Sequence, residues 1–197
     1  MTDVIREGMA MDDFIKAIND QPFELINGER IDKMPNVAGH TMMIRLFRRL
    51  IEAFVDGLGL GYVFAESTYV LREKYDSNWV KGSRIPDVAY YEKDRLDAYM
   101  SEVEDWDQKP FLLVPDLVVE VLSPNDSYTA VDEKVDAYRQ DGVRLIWLVD
   151  PARKKVTVHR LVNIQPEIKT RDTTLSGETV LPDFSVPLSE VFEGDAS

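Results

Sequence analysis

The chain has 197 residues, of which 44% are hydrophobic and 30% are charged, a composition typical of a globular protein with a substantial core. It contains no cysteine, which excludes a disulfide framework, a thiolate zinc site and a cysteine nucleophile. Its 23 lysines and arginines stand against 36 acidic residues, and the net charge of −13 counts against tight binding to nucleic acid, because such binding depends on neutralising phosphates.

The sequence shows no signal for a membrane or for export. No run of about 18 apolar residues is present, so no transmembrane helix is predicted. Residues 1–7 lack the basic and then apolar order of a signal peptide. We therefore expect a cytoplasmic protein that has no contact with a membrane and that folds as one domain over residues 1–197.

Hydrophobic periodicity and turn residues predict the elements of the first half of the chain. Apolar residues recur at helical spacing after Gly39, with arginines largely on the other side. Asn27-Gly28 supplies the positive φ angles of a tight turn after a short strand. In chain order we predict a helix at 11–19, a strand at 23–26, a helix at 39–56, and strands at 62–71 and 87–91.

The second half predicts a strand–helix–strand unit, preceded by an acidic excursion at 92–110. In chain order we predict a strand at 117–122, a helix at 126–140, strands at 144–149 and 155–161, and further strands after Gly177 that complete the sheet. The helix is predicted to be capped by Asn125, Asp126 or Ser127. Together these elements favour an α/β fold, in which a mixed β-sheet is flanked by α-helices.

One carboxylate interrupts the apolar strand at 117–122. Glu120 lies between valines in the run Val119-Glu120-Val121, and burial of an ionised carboxylate without a partner costs several kcal/mol. It therefore needs a cation, hydrogen-bond donors or a proton. Two candidate partners are Asp87, in a predicted strand, and Lys134, on the following helix. Two carboxylates and a lysine that meet at strand ends can hold a divalent metal beside a phosphate.

Lys134 lies within the apolar arc of its predicted helix. At about 100° per residue, Val131, Val135 and Tyr138 define this arc, and Lys134 falls between them. Lysine is rarely buried without a paired charge, so this position favours a functional role. The alternative is a lysine whose stem crosses the apolar face so that its ammonium reaches water.

These residues resemble those of a known nuclease family. Pro86-Asp87, then Glu120 in a Val-Val-Glu-Val-Leu-Ser-Pro strand, then Lys134 in a Glu-Lys-x-x-x-Tyr helix resemble the PD-(D/E)XK nuclease superfamily, and more narrowly its Uma family of restriction endonucleases. Similar segments occur at 23–29, 142–151 and 181–184, so the resemblance covers nearly the whole chain. It implies a restriction-endonuclease-like domain over residues 1–197.

Two positions depart from the expected pattern. The superfamily places a lysine two residues after the glutamate, where this chain has Leu122. In the Uma family the next helix supplies the lysine instead, which agrees with Lys134. The family also commonly has an acid where this chain has Leu145, a position expected beside the site rather than in it.

The resemblance implies metal-assisted hydrolysis of phosphodiester bonds, with DNA as the expected substrate. Asp87 and Glu120 would hold Mg²⁺ or Mn²⁺, and the backbone carbonyl of Val121 would be a further ligand. Lys134 would orient or deprotonate the attacking water, or balance the charge of the transition state. Glu24 would complete the acidic cluster and help to hold a second metal. The alternative for Glu24 is a solvated residue of the N-terminal hairpin.

Other candidate residues are assigned structural roles. Asp116 also follows a proline, but it lies four residues before Glu120, about 13 Å away at the rise of a strand, and so cannot share its metal. His40 is interpreted as a capping or surface residue and stays outside the catalytic set. A Ser–His–Asp hydrolase is not expected, because the sequence has no Gly-x-Ser-x-Gly turn.

Two functions therefore remain open. The first is a Mg²⁺-dependent endonuclease, expected to be a homodimer because cutting two strands suits a two-fold arrangement. The second is a catalytically silent module of the same fold that binds nucleic acid or a protein. The set Asp87, Glu120 and Lys134 favours the enzyme, whereas the net charge of −13 favours the silent module or a tightly regulated enzyme.

Overall fold

The fold is known from a computed structural model that describes residues 7–124, 126–162 and 165–193. The helices are α1 (Met11–Asp20), α2 (Ala38–Leu58), α3 (Lys93–Glu102), α4 (Tyr128–Asp141) and α5 (Leu188–Glu193), with a short 3₁₀ helix at Trp106–Gln108. The strands are β1 (Met9–Ala10), β2 (Phe23–Ile26), β3 (Glu29–Asp32), β4 (Gly61–Ala65), β5 (Tyr69–Glu73), β6 (Asp76–Arg84), β7 (Val88–Glu92), β8 (Leu117–Val121), β9 (Leu145–Asp150), β10 (Lys155–Arg160), β11 (Glu167–Thr170), β12 (Thr174–Ser176) and β13 (Ser185–Pro187).

The strands form two main sheets and one small one. The larger sheet has the order β11-β10-β9-β8-β7-β4, and within it only β8 and β9 are parallel. The second sheet has the order β1-β6-β2-β3, with β5 also paired to β6. Strands β12 and β13 pair with each other. No helix in the described part of the chain is long and apolar enough to cross a membrane.

The predicted strand–helix–strand unit is confirmed as β8–α4–β9. Every residue of β8 is buried, as expected for a strand covered on both faces. Ser127 is the cap observed, and its hydroxyl accepts a hydrogen bond from the amide of Ala130 at 3.2 Å. Of the other two candidates, Asn125 lies outside the described residues. Gly142 ends the helix with φ 98°, a left-handed conformation that glycine adopts at little cost.

Helix α2 packs its apolar face against the larger sheet. Met43, Phe47, Ile51 and Val55 share one core with Trp147 of β9 and with neighbouring valines. Full burial of each such side chain contributes about 1.5–3 kcal/mol. The arginines on the other side of the helix are exposed, as the periodicity predicts. This packing fixes the first turn of α2, and with it His40, over the ends of β7 and β8.

The predicted hairpin at 23–28 is confirmed, but the predicted strand at 62–71 is wrong. Asn27 and Gly28 have φ angles of 51° and 80°, as in the tight turns that favour Asn-Gly. The segment 62–71 contains two strands, β4 and β5, which belong to different sheets. The chain turns between them at Glu66, which has a φ of 50°, and apolar residues on both sides conceal this break.

The prediction that strands after Gly177 complete the main sheet is also wrong. Strands β12 and β13 form a separate antiparallel pair. Their loop supplies Phe184, whose ring packs against Trp147 and Phe54 with centroids at 5.6 and 5.4 Å. The segment therefore covers the core that the sheet and α2 share. Several elements are absent from the prediction, among them β6, β11 and α3, which lack a clear apolar period.

A buried ion pair joins the second sheet to the end of α4. The Arg84 guanidinium donates to Asp141 at 3.2 Å, and both side chains are no more than 5% exposed. Tyr69 donates to the other oxygen of Asp141 at 2.8 Å. Since Asp141 ends the helix that carries Lys134, the pair holds α4 against the sheet that carries Glu24.

We expect the substitution Asp141→Ala to lower the free energy of unfolding by about 3 kcal/mol, because it leaves the buried Arg84 charge without its countercharge. Glu52→Ala is the control. It breaks a 3.0 Å pair with Arg48 on the surface of α2 and should cost less than about 0.5 kcal/mol. Urea unfolding measures both values. Equal losses in the two variants would contradict the prediction.

Candidate active site

Glu120 is held by two side chains that lie one turn apart on α4. The Lys134 ammonium lies 3.0 Å from Glu120 Oε2, and the Tyr138 hydroxyl donates a hydrogen bond to Oε1. Glu120 is 7% exposed, so these partners replace most of its contact with water. The helical spacing of four residues places the ammonium and the hydroxyl side by side above the strand.

Asp87 lies beside Glu120, immediately before β7. Val88 pairs with Val119 across the antiparallel strands, so the residue before Val88 meets the residue after Val119. Asp87 Oδ2 accepts a hydrogen bond from the amide of Val121 at 2.9 Å. Its Oδ1 lies 3.4 Å from the ammonium of Lys33. The two carboxylates predicted to act together are therefore brought to one strand end.

Glu24 enters the same cluster from the second sheet. Its Oε1 accepts a hydrogen bond from the amide of Ile85 at 2.6 Å, and its Oε2 lies 3.4 Å from the Lys134 ammonium. The side chain is 8% exposed, which excludes the alternative of a solvated hairpin residue. Lys134 thus lies between carboxylates that belong to different sheets.

Three residues of this cluster are absent from the sequence-based site: His40, Lys33 and Tyr138. His40 was interpreted as a capping or surface residue, but it is buried and its Nε2 lies 2.7 Å from the Val121 carbonyl and 3.2 Å from Asp87 Oδ2. Tyr138 carried a usable signal, since it follows Lys134 by four residues on the same helix face. Lys33 follows a wholly exposed strand, and no local pattern marks it.

The carboxylates of the cluster have unusual proton affinities. Burial raises the pKa of Glu120 to about 7. The negative charges of Asp87 and Glu24 act in the same direction, and the Lys134 ammonium offsets these effects only in part. Burial also acts to raise the pKa of Asp87, but its hydrogen bond to His40 and the nearby lysines lower it on balance. Near neutral pH, Glu120 is therefore the carboxyl group of this pair that exchanges a proton.

The basic groups are shifted by the same contacts. Burial acts to lower the pKa of Lys134, but the Glu120, Glu24 and Asp87 carboxylates raise it well above its usual range. The hydrogen bond with Asp87 raises the pKa of His40, against the effect of burial. Lys134 is consequently a permanent cation in this site at neutral pH.

The cluster lines a cavity of about 400 Å³. Asp87, Glu120, Lys134, Glu24 and His40 all line it, together with Val121. The remaining walls come from the segment after β3, the end of β8 and the first turns of α4. These residues come from β2, α2, β8, α4 and the position before β7, and they share one solvent-accessible chamber.

Asp116 lies outside this chamber. It is fully buried at the other end of β8, where it forms ion pairs with Arg95 and with Arg144, the latter at 3.2 Å. The amide of Glu92 also donates to it at 2.9 Å. These contacts hold α3 and the start of β9 against the sheet. The separation of Asp116 from Glu120 agrees with the distance that the rise of a strand predicts.

The oxygen atoms of the cluster suit a hard divalent cation. Two carboxylates and a backbone carbonyl, from Asp87, Glu120 and Val121, are typical ligands of Mg²⁺ and Mn²⁺. Each of these oxygens is in contact with a protein donor, and no group of three or more acidic or histidine side chains in residues 7–124, 126–162 and 165–193 has a metal-binding arrangement. A carboxylate or carbonyl oxygen has more than one lone pair, so these oxygens could hold a cation and keep donors such as the Lys134 ammonium.

Comparison with known proteins places the chain in a family. The model of the family Uma2, described as "Putative restriction endonuclease", matches residues 11–189. A crystal structure of a putative nuclease belonging to DUF820 from Anabaena variabilis ATCC 29413 superimposes with a TM-score of 0.75 and 21% sequence identity, over 94% of this chain and 98% of that one. No curated protein matches the chain.

The structural likeness confirms the predicted fold class, a mixed α/β architecture with helices on its sheets. The family match spans every element from α1 to the start of α5 and includes Glu24, Asp87, Glu120 and Lys134. The resemblance inferred from the motifs is thereby confirmed: the chain belongs to the Uma2 family of putative restriction endonucleases.

Proposed function

We propose that this protein is a metal-dependent endonuclease that hydrolyses phosphodiester bonds of nucleic acid, with DNA as its substrate. The observation that carries the proposal is the meeting of Asp87, Glu120 and Lys134 at one cavity. Membership in the Uma2 family supports nuclease function. The active unit is proposed to be a single PD-(D/E)XK nuclease-like domain over residues 1–197, located in the cytoplasm.

In this proposal Asp87, Glu120 and the Val121 carbonyl hold Mg²⁺ or Mn²⁺. When bound, such a cation lowers the pKa of a coordinated water and neutralises charge on the phosphate. Lys134 remains protonated beside Glu120 and places its positive charge where the transition state gains negative charge. Because the Glu120 and Glu24 carboxylates contact this ammonium from two sides, little reorganisation is needed during the reaction.

The residues around the core of the site have positioning roles. The 2.7 Å contact of His40 with the Val121 carbonyl fixes the backbone at the end of β8. Lys33 contacts Asp87 Oδ1 at 3.4 Å and adds a second positive charge at the rim. A homodimer is proposed because two such sites related by a two-fold axis can cut both strands of a duplex.

A catalytically silent module of the same fold is the second candidate function. Two observations favour it: the net charge of −13, and a cluster in which every carboxylate oxygen of Glu24, Asp87 and Glu120 already contacts a protein donor. Such a module would bind nucleic acid or a protein without cutting it.

Nicking of supercoiled plasmid distinguishes the two candidates. The full-length protein is incubated with Mg²⁺, with Mn²⁺, or with excess chelator, and Glu120→Gln and Asp87→Asn are assayed at equal concentration. We expect nicking that needs the metal and falls by at least about 100-fold in both variants. Equal nicking by the wild type and the variants would identify a contaminant. Absence of nicking with either metal would favour the silent module.

The substitution Tyr138→Phe tests how Glu120 is positioned. We expect it to lower the cleavage rate about tenfold, because Glu120 Oε1 loses its buried donor and the carboxylate can rotate. Tyr128→Phe, at an exposed tyrosine at the start of the same helix, is the matched control and should leave the rate unchanged. If Tyr138→Phe cleaves at the wild-type rate, the hydroxyl has no part in positioning Glu120.

A further inference from the structure

A second, larger groove adjoins the candidate active site. Its volume is about 830 Å³, compared with about 400 Å³ for the cavity that holds the acidic cluster. The two share one wall, the segment at 33–36, all of whose residues line both spaces. The two spaces therefore lie side by side along this segment, which begins with Lys33.

The lining of this groove combines apolar and amide side chains. The apolar part includes Ile15 and Ile18 of α1, Met34 after β3, and Phe111, which directly follows the acidic excursion. The amides are Asn19, Gln21, Asn36 and Gln108. Aromatic and apolar surfaces stack on nucleobases, and amides form paired hydrogen bonds with base edges. A volume of this size accommodates a small organic group such as a nucleotide.

The charges of the groove do not suit a continuous duplex. Its lining contains two cations, Lys33 and Lys109, against two acids, Glu66 and Asp107. A duplex binder neutralises a row of phosphates, whereas this groove is balanced and the whole chain carries a charge of −13. Affinity must therefore come from contacts with bases. Base edges and faces are accessible to such contacts in unpaired strands.

Lys33 borders both the groove and the cavity of the acidic cluster. Its ammonium lies 3.4 Å from Asp87 Oδ1 on the side of the acidic cluster and 3.4 Å from Glu66 Oε1 on the side of the groove. Asn36 donates to the same Glu66 oxygen at 2.9 Å. An ammonium in this position can donate hydrogen bonds to a phosphate of a nucleic acid strand that lies along both spaces.

We propose that the groove binds unpaired nucleotides next to the phosphate that the acidic cluster attacks, so that each active site takes its strand of nucleic acid at an unpaired segment. This inference rests on the proposed endonuclease function. Lys33 contacts the backbone between the two spaces, and the amides and Phe111 contact the bases. The acidic excursion, which has no role in the cluster itself, supplies one wall of this binding site.

Fluorescence anisotropy tests the proposal with a labelled DNA strand of about 12 nucleotides, alone or annealed to its complement. The protein is the full chain with Glu120→Gln, which prevents cleavage. We expect the single strand to bind at least about fivefold more tightly than the duplex. Adding Lys109→Glu should weaken strand binding at least about fivefold, whereas Lys74→Glu, the same charge change at an exposed lysine outside both spaces, should change it less than about twofold.

Equal or tighter binding of the duplex would overturn the proposal, as would equal losses from Lys109→Glu and Lys74→Glu, or no binding of either DNA form. The plasmid assay separates this failure from that of the proposed function. Metal-dependent nicking together with a preference for duplex keeps the endonuclease and rejects the groove. Strand binding that depends on Lys109, without metal-dependent cutting of either the plasmid or the single strand by the wild type, keeps the groove and rejects the enzyme.

Discussion

Replacement of Lys134 by alanine is expected to lower the rate of metal-dependent cleavage by at least about 100-fold. The ammonium lies 3.0 Å from Glu120 and 3.4 Å from Glu24. The other lysine of the cluster, Lys33, does not take this place, because its ammonium contacts Asp87. Single-turnover cleavage of plasmid at saturating Mg²⁺ or Mn²⁺ measures the effect on the chemical step.

The same substitution should also affect stability, because it leaves two buried carboxylates without their shared cation. We expect the free energy of unfolding to fall by about 3 kcal/mol, so cleavage must be assayed at a temperature at which circular dichroism shows the variant folded. Lys74→Ala, at an exposed lysine, is the matched control and should change neither quantity. A folded Lys134→Ala variant that cleaves within about threefold of the wild-type rate would exclude a catalytic role for Lys134.

The central part of the site could be predicted because its signals are local. Glu120 is conspicuous as one acid in a buried strand, and Lys134 as one cation in the apolar arc of the next helix. A parallel strand–helix–strand connection brings such a helix back over its own strand. The contact between Glu120 and Lys134 therefore follows from the apolar pattern of the strand, the apolar arc of the helix, and the way that a strand–helix–strand unit packs.

The rest of the site has no such local signal, because it depends on contacts between distant segments, and Glu24 entered the prediction only through the family resemblance. His40 meets Val121 across 81 residues of sequence, and Glu24 meets Ile85 across 61. Each contact is created by the packing of α2 or of the second sheet against the ends of β7 and β8. In the sequence His40 has only the signature of a residue in the first turn of a helix, and tertiary packing determines which groups it meets.

The errors in the fold have a related cause. The segment 62–71 is apolar enough to be taken for one strand, yet the backbone at Glu66 divides it between two sheets. Strand β6 carries a polar sequence, Asp76–Arg84, and pairs with β1, β2 and β5 through its backbone. A hydrophobic pattern indicates which side chains are buried. It therefore does not reveal a strand such as β6, which is held in the sheet chiefly by backbone hydrogen bonds to its neighbours.

Metal binding is expected to weaken by about 30-fold between pH 8 and pH 5.5. A divalent cation needs the ionised form of Glu120, whose pKa in the metal-free protein is raised to about 7, so affinity falls about tenfold for each pH unit below that value. Isothermal titration calorimetry with Mn²⁺ at several pH values measures this slope. Glu120→Gln should bind the cation weakly at every pH, and Glu133→Gln, at an exposed glutamate of α4, should retain the wild-type slope.

The stability of the metal-free protein should change with pH in the opposite sense. The pKa of Glu120 is about 7 when folded and 4.5 by its ordinary value, so between these limits the folded state binds more protons than the unfolded state. The free energy of unfolding therefore falls as pH rises from about 4.5 to about 7, by at most about 3 kcal/mol from this group. His40 acts in the same direction, because its pKa is also raised.

The pH dependence of metal affinity and that of stability share one cause, the burial of Glu120 among like charges. We therefore expect to observe both or neither. Added Mn²⁺ should stabilise the protein most at high pH, where the metal-free cluster is least stable. Glu120→Gln should remove the gain from metal and the part of the loss with pH that comes from Glu120. Urea unfolding at pH 5.5 and pH 8, with and without Mn²⁺, provides the four required values. A wild-type protein that unfolds at the same urea concentration in all four conditions would show that Glu120 is ionised throughout and binds no metal.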